Sequence, residues 1–146
     1  MKRALLAVNV LIALLDPDHD HHDSAQNWWK LNHTGGWASC PITENGFVRI
    51  MSNVRYPAEI QFTPSQLVKD LLDFVNVTDH AFWPDDVSLL DNNTFERERL
   101  ISHRSLTDAY LLAVAKARKS RLVTFDRRIT IFAVKGATEE NLCVIY

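Results

Sequence analysis

The hydrophobic residues of the chain fall into two patterns, short continuous runs and longer segments with helical spacing. The short runs are mostly apolar, as in strands that are buried on both faces of a sheet. They predict strands at Arg3–Val8, Trp37–Cys40, His80–Trp83, Arg121–Phe125 and Leu142–Ile145. The helical spacings predict helices at Val10–Leu15, His21–Leu31, Thr43–Met51, Thr63–Val75, Val87–Asn92 and Thr107–Lys119. Strands that alternate with helices predict an α/β fold with a mostly parallel central sheet and helices on both faces.

Length and composition favour a single domain over residues 1–146. The chain has 146 residues, of which 47% are hydrophobic and 23% charged, as expected for one globular core. The apolar run Ala4–Leu15 resembles a signal peptide, but it contains Asn9 and is too short to span a bilayer. We therefore expect a cytoplasmic protein without a membrane partner. Its two cysteines, Cys40 and Cys143, are expected to be buried free thiols.

The charges are unevenly distributed along the chain. Ten of the 16 Lys and Arg residues lie between Arg97 and Lys135, where only three acids occur. A basic half on a chain with a net charge of −2 is compatible with a ligand that carries a phosphate backbone. Solvated helix faces would give the same pattern, so charge alone does not decide between the two.

Three acidic residues are predicted at one edge of the sheet. Glu44 lies in the first turn of the helix after the second predicted strand, Asp108 opens the Thr107–Lys119 helix, and Asp126 follows the Arg121–Phe125 strand. Each could have a structural role, because acids stabilise helix N-termini and cap turns. Together, at the carboxyl edge where α/β sheets form their sites, they favour a shared functional site.

Clustered carboxylates predict a divalent metal site. Three such groups repel one another, and a hard cation such as Mg²⁺ or Mn²⁺ relieves that repulsion through oxygen ligands. The expected metal ligands are Glu44, Asp108 and Asp126. A metal in such a site polarises a phosphoryl oxygen and activates water, so the natural reaction is phosphodiester hydrolysis.

The same motifs resemble those of a known family. The segment Leu5–Asp16 is similar to the first strand and helix of VapC-type PIN domains, and Thr43-Glu44 to their second acidic motif. Thr107–Ala113 and Leu122–Asp126 resemble the third and fourth motifs, so the likeness covers essentially the whole chain. The resemblance implies a PIN fold and Mg²⁺- or Mn²⁺-dependent endoribonuclease activity. It also implies a toxin role opposed by a cognate antitoxin protein, and a homodimer.

One position departs from this family pattern. Ala7 stands where the resemblance places the first aspartate, a metal ligand at the end of the first strand. Alanine cannot coordinate a metal, so we expect weakened metal binding and little or no cleavage. Our hypothesis is that the alanine is an introduced substitution, because an active toxin is hard to produce and every other motif is intact; a naturally inactive relative is the competing explanation. Asn9, Thr107 and Thr124 are expected to support the site.

Several further side chains could contact RNA or metal. His103, Arg104, Arg127 and Arg128 flank the predicted acids and could contact RNA phosphates. Surface positions without function are an equal alternative. The segment Asp16–Asp23 contains three histidines, but neighbouring histidines point to different sides, and a solvated turn is the default expectation.

Two other functions compete with the nuclease. A non-catalytic PIN-like module would bind antitoxin or RNA without cutting, and restoring a carboxylate at Ala7 would distinguish it. A phospho-accepting receiver-like domain would also gather acids at strand ends. That class needs adjacent acids after the first strand and a lysine after the last, and the chain supplies neither.

Overall fold

The computed structural model describes residues 1–146 and is organised around one five-stranded sheet. All of its strand pairs are parallel, and the strand order is β3-β2-β1-β4-β5. The strands are β1 (Ala4–Leu6), β2 (Trp37–Ser39), β3 (His80–Phe82), β4 (Arg121–Thr124) and β5 (Leu142–Val144). Each strand lies within a segment that the apolar runs predict, so the parallel α/β sheet is confirmed.

Five helices connect and cover these strands. They are α1 (Val8–Leu15), α2 (His22–Asn32), α3 (Pro41–Met51), α4 (Pro64–Asn76) and α5 (His103–Ala117). The starts of α4 and α5 are set by hydroxyl caps, since Thr63 accepts a hydrogen bond from the backbone N–H of Gln66, and Ser102 from that of Arg104. No helix is long and apolar enough to cross a membrane.

Alternation along the strands divides the core into two halves. Ala4, Leu6 and Val123 pack on one face, against helices α1 to α4. Leu5, Ala7 and Leu122 pack on the other face, against α5 and the loops that follow β3 and β4. Because neighbouring strand residues point to opposite faces, each apolar run serves both halves. Helices therefore cover both faces, as predicted.

The helix predicted at Val87–Asn92 is absent. Hydroxyl and carboxylate side chains bind the local backbone there: Ser88 accepts from the N–H of Leu90, and Asp91 from that of Asn93. Such short-range bonds compete with helical hydrogen bonds. The segment is an irregular loop whose buried anchor is Phe95, which forms a bridge with Val134.

Helix α5 begins four residues earlier than the predicted Thr107. Asp108 therefore lies beyond the first turn, which contains no acid. Since the favourable effect of a helix N-terminus on a carboxylate fades within one turn, this purely structural explanation of Asp108 loses its basis. The carboxylate is instead carried toward the edge of the sheet.

Candidate active site

A cleft of about 500 Å³ opens at the carboxyl end of the sheet, at the point where the strand order reverses. The chain moves from β1 to β2 and β3 on one side, then returns to β4 and β5 on the other, so the crevice lies beside β1 and β4. Its polar lining consists of Asn9, His19, Arg49, Tyr56, Arg104, Thr107, Asp108, Asp126 and Arg128. Two of the three predicted acids are thus brought together.

The hydroxyl of Thr124 is the centre of the cleft's hydrogen-bond network. It donates to Oδ2 of Asp108 over 2.8 Å and accepts from the backbone N–H of Asp126 over 3.1 Å. The side-chain amide of Asn9 donates to the same oxygen, and its carbonyl accepts from the N–H of Phe125. Asn9 and Thr124 therefore link the Asp108 carboxylate to the backbone of the turn that carries Asp126.

The surroundings of Asp108 disfavour the charged form of its carboxyl group. Burial raises its pKa above the usual aspartate range, and the nearby charge of Asp126 acts in the same direction. The hydrogen bond from Thr124 only partly offsets this. A carboxyl whose pKa is raised in a cleft, beside a second acid, is poised to gain from a cation.

The surroundings of Asp126, in contrast, favour the charged form of its carboxyl group. Its carboxylate receives two hydrogen bonds from the guanidinium of Arg128, of 2.9 and 3.1 Å, and a third from the backbone N–H of the same residue. These bonds lower the pKa of Asp126. Its side chain is only 12% exposed, whereas that of Arg128 is 59% exposed, so the arginine covers the acid from the solvent side.

Glu44, the third predicted metal ligand, does not line this cleft. Its carboxylate accepts a 2.6 Å hydrogen bond from the hydroxyl of Ser39, which also lies 2.7 Å from Nε2 of His80. Glu44 and His80 line a separate cavity of about 590 Å³ between α3 and α4. The expected three-carboxylate cluster is therefore not formed, and the structure contains no group of three or more His, Cys, Asp or Glu placed to hold a metal.

Helical periodicity explains this displacement. The face of α3 that lines the cleft consists of Ile42, Gly46, Arg49 and Ile50, which recur at the spacing of a single face. Glu44 lies two residues from both Ile42 and Gly46, about 200° around the helix, and so points to the opposite side. In the sequence, the i+3 and i+4 neighbours of Glu44 are Phe47 and Val48, which indicates that Glu44 shares a helix face with core residues.

At the cleft, α3 instead presents a glycine. A Cβ at Gly46 would lie 2.7 Å from Cγ2 of Val8, so no larger residue fits without movement. This close approach lets α3 pack directly on the first turn of α1. Ala7, at the start of that turn, is buried, and its backbone N–H donates to the carbonyl of Val123 over 2.9 Å.

The predicted RNA contacts divide into two groups. Arg104 and Arg128 line the cleft, as does the predicted supporting residue Thr107. His103 is exposed at the start of α5 outside the cleft lining, and the guanidinium of Arg127 lies 4.5 Å from the ring centre of Tyr146.

Sequence reasoning missed three polar residues of the cleft: His19, Arg49 and Tyr56. For Arg49 the spacing from Ile42 and Gly46 was a usable signal. His19 and Tyr56 lie in irregular segments, where periodicity carries no information.

The histidine-rich turn is a structural element without a metal cluster. His22 lies 2.7 Å from the carbonyl of Ala13 through its Nδ1, and the ring of His21 stacks on Phe125. Nδ1 of His19 accepts from the backbone N–H of His21. The three rings therefore serve different neighbours. Both cysteines are free, as expected, although Cys143 is only half-buried.

The residues present fit a hydrated divalent cation better than a fully protein-bound one. Mg²⁺ commonly takes one or two carboxylates and completes its shell with water and phosphate oxygens. Asp108 and Asp126 supply that minimal set, and a bound cation would favour the charged form of Asp108, which burial disfavours.

Comparison with known proteins agrees with the fold and the motifs. The PIN domain family matches residues 5–135. Ribonuclease VapC44 of Mycobacterium tuberculosis is 47% identical over 143 residues, which is 98% of this chain and 99% of the relative. Ribonuclease VapC39 of the same organism is 43% identical over 93% of this chain and 97% of its own length. Ribonuclease VapC38 is 41% identical over 89% of each chain. The chain belongs to the PIN domain family.

Proposed function

We propose that this chain is built as a metal-dependent endoribonuclease of the toxin type, which hydrolyses RNA phosphodiesters in the cleft that holds Asp108 and Asp126. The observation that carries the proposal is that one hydroxyl, that of Thr124, donates to the carboxylate of Asp108 and accepts from the backbone N–H of Asp126 at the switch point of the sheet. Arginines on the same cleft provide the positive charge that an RNA backbone requires. The relatives named as ribonucleases, 41–47% identical, support RNA as the substrate.

Asp108 and Asp126 would hold Mg²⁺ or Mn²⁺. When bound, the metal would polarise the scissile phosphate and lower the pKa of a water molecule. The chain's own residues perform the remaining tasks. Asn9 and Thr124 keep the Asp108 carboxylate oriented, and Arg104 binds the phosphate backbone beside it. Arg128, which pairs with Asp126, neutralises that acid when no cation is present.

Ala7 weakens this activity. Residue 7 directly follows the central strand β1. Its backbone N–H donates to the carbonyl of Val123 in β4, and the turn that carries Asp126 follows that strand. A metal held by two carboxylates instead of three binds less tightly and is less well oriented. We therefore propose that this form cleaves RNA slowly or not at all.

A cognate antitoxin and a homodimer are part of the same proposal. Val68 and Leu72 leave an exposed aliphatic surface on α4, next to the cavity between α3 and α4, of the kind that protein partners cover. Light scattering of the purified chain, alone and co-expressed with its antitoxin, would test both assemblies.

A non-catalytic PIN-like module is the second candidate. It is favoured by the pairing of Asp126 with Arg128, since a carboxylate engaged by a guanidinium is less available to a metal. Such a module would bind RNA or antitoxin through the arginines and cut nothing.

Restoring the carboxylate separates the two candidates. The chain and its Ala7→Asp variant should be incubated with labelled structured RNA in Mg²⁺, Mn²⁺ and EDTA. We expect cleavage by Ala7→Asp alone, abolished by EDTA and by a further Asp108→Asn substitution, which also controls for contaminating nucleases. If a folded Ala7→Asp variant cuts no RNA tested, the binding module becomes the better description.

A further inference from the structure

A second, shallower basin adjoins the cleft. It measures about 230 Å³ and is lined by Arg49, Ile50, Asn53, Arg55, Tyr56 and Pro57. Three of these residues, Arg49, Ile50 and Tyr56, also line the cleft that holds Asp108. The basin is therefore continuous with the cleft and extends it over the C-terminal end of α3.

The basin is positively charged and its charges are uncompensated. Arg49 and Arg55 are both exposed, and neither takes part in any of the four ion pairs of the protein. No acidic residue lines the basin. Arg104 of the cleft is likewise outside every ion pair, so unpaired guanidinium groups run from the cleft into the basin. Anions at successive positions along this path would be attracted at each step.

An aromatic ring with a fixed position lies where the two cavities meet. The hydroxyl of Tyr56 donates a hydrogen bond to the carboxylate of Asp16, which is itself buried. The backbone N–H groups of Arg55 and Tyr56 donate to the side-chain and main-chain oxygens of Asn53, over 2.9 and 3.0 Å. The turn that carries both Arg55 and Tyr56 is thus held in place without a ligand.

We propose that this basin is a subsite for single-stranded RNA, which receives the nucleotide next to the phosphate in the cleft. Arg49 and Arg55 would contact its flanking phosphates, and the ring of Tyr56 would stack on its base. Arginines that follow a backbone, interleaved with an aromatic ring, are the arrangement that single-stranded nucleic acid requires. A duplex conceals its base faces and cannot use the ring. The inference rests on the proposed function in taking RNA as the ligand.

Binding to oligouridylates of increasing length tests the subsite. Fluorescence anisotropy in EDTA measures affinity without metal and without cleavage. For oligomers long enough to leave the cleft, Arg55→Ala should weaken binding about tenfold and lower the slope of log K against log salt by roughly 0.7. For the shortest oligomers that bind, the same variant should have no effect. Arg97→Ala removes an exposed arginine that lines neither cavity and is the matched control.

Two substitutions at Tyr56 separate stacking from folding. Tyr56→Phe keeps the ring but loses the hydrogen bond to Asp16, whereas Tyr56→Ala loses both. We expect Tyr56→Phe to melt at a lower temperature yet bind long oligomers like the parent. Tyr56→Ala should bind them about tenfold more weakly.

Each result has a definite meaning. Equal affinity of the Arg55→Ala, Arg97→Ala and parent chains for every length would overturn the subsite. So would a preference for an acidic peptide that Arg55→Ala abolishes while RNA binding is unchanged. Because the assay contains EDTA, a failure of Ala7→Asp to cleave would refute the nuclease and leave this result intact.

Discussion

The two sides of helix α3 adjoin polar groups that differ in how far they are hydrogen-bonded and charge-balanced by one another. On the α4 side, the hydroxyl of Ser39 bonds to both Glu44 and His80 beside a cavity with aliphatic walls. On the cleft side, Asp108 has a raised pKa, and three arginines face only two acids. Polar groups that are fully hydrogen-bonded to one another mainly maintain a fold, whereas groups with a shifted pKa or an unpaired charge are available to a ligand. Proximity to the sheet edge alone does not make an acid catalytic.

The largest effect that tests this contrast is a loss of cleavage. In the Ala7→Asp background, Asp108→Asn should lower the cleavage rate by at least about 100-fold, as expected when an electrostatic partner of the reacting phosphate is removed. Glu44→Gln should stay within about twofold of its parent. Initial rates on one labelled RNA in saturating Mg²⁺ provide the measurement. A comparable loss of cleavage rate with Glu44→Gln would show that Glu44 takes part in the reaction.

A smaller loss is expected from the threonine that joins the two acids. Thr124→Val has nearly the same shape but cannot donate to Asp108 or accept from Asn9. In the Ala7→Asp background we expect cleavage to fall about tenfold, the usual range for a group that orients a metal ligand. Titration with Mn²⁺ should show a matching rise in the metal concentration needed. Thr107→Val, in the same cleft but outside this network, is the control.

Much of the fold was predictable because the apolar pattern is strong. Every strand lies within its predicted segment, since a strand buried on both faces produces a continuous apolar run. The error at Val87–Asn92 arose because an apolar spacing was outweighed by the local hydrogen bonds of Ser88 and Asp91. The start of α5 was placed late because Ser102, its cap, precedes a first turn with few apolar residues.

The candidate site was predictable only in part. Asp108, Asp126, Asn9 and Thr124 could be placed because each adjoins a well-defined strand or helix. Glu44 was misplaced because its distance from a strand was considered without its angle around the helix. The basin around Tyr56 was missed because the turn that forms it is fixed by a tertiary hydrogen bond to Asp16, which sequence spacing does not reveal.

A substitution on the α4 side of α3 should change the stability of the protein rather than its activity. Ser39→Ala would leave Glu44 and His80 without their shared partner, at a cost of about 1–2 kcal/mol in the free energy of unfolding. Urea denaturation of this variant and its parent gives that difference. Cleavage by Ala7→Asp should be the same with and without Ser39→Ala. A drop in activity larger than the loss of folded protein would contradict the separation of the two clusters.

The smallest predicted effect is a difference in pH dependence between the two sides. Burial lowers the pKa of His80 below its usual 6.5, although the charge of Glu44 opposes this. The unfolded chain therefore binds the proton more readily, and the stability contributed by His80 is complete above pH 6.5 and declines as the pH falls through the folded value. For Asp108 the raised pKa has the reverse consequence, because the folded chain holds the proton more tightly and stability declines as the pH rises above 3.8.

Thermal unfolding between pH 7.5 and 5.5 covers the range where the contribution of His80 begins to decline with falling pH, whereas the contribution of Asp108 changes with pH in the opposite direction. His80→Gln keeps an amide that can bond to Ser39 but does not titrate, so it should flatten the decline in melting temperature over this range by the equivalent of at most about 1 kcal/mol. Asp108→Asn should not flatten that decline, because Asp108 contributes with the opposite sign, and it should raise the melting temperature at neutral pH, where the parent bears the cost of a charged, partly buried carboxyl. If Mg²⁺ raises the melting temperature of the parent but not of Asp108→Asn, a bound cation offsets the cost of the charged Asp108 carboxylate. A slope that Asp108→Asn flattens and His80→Gln does not would reverse the assignment of the two sides.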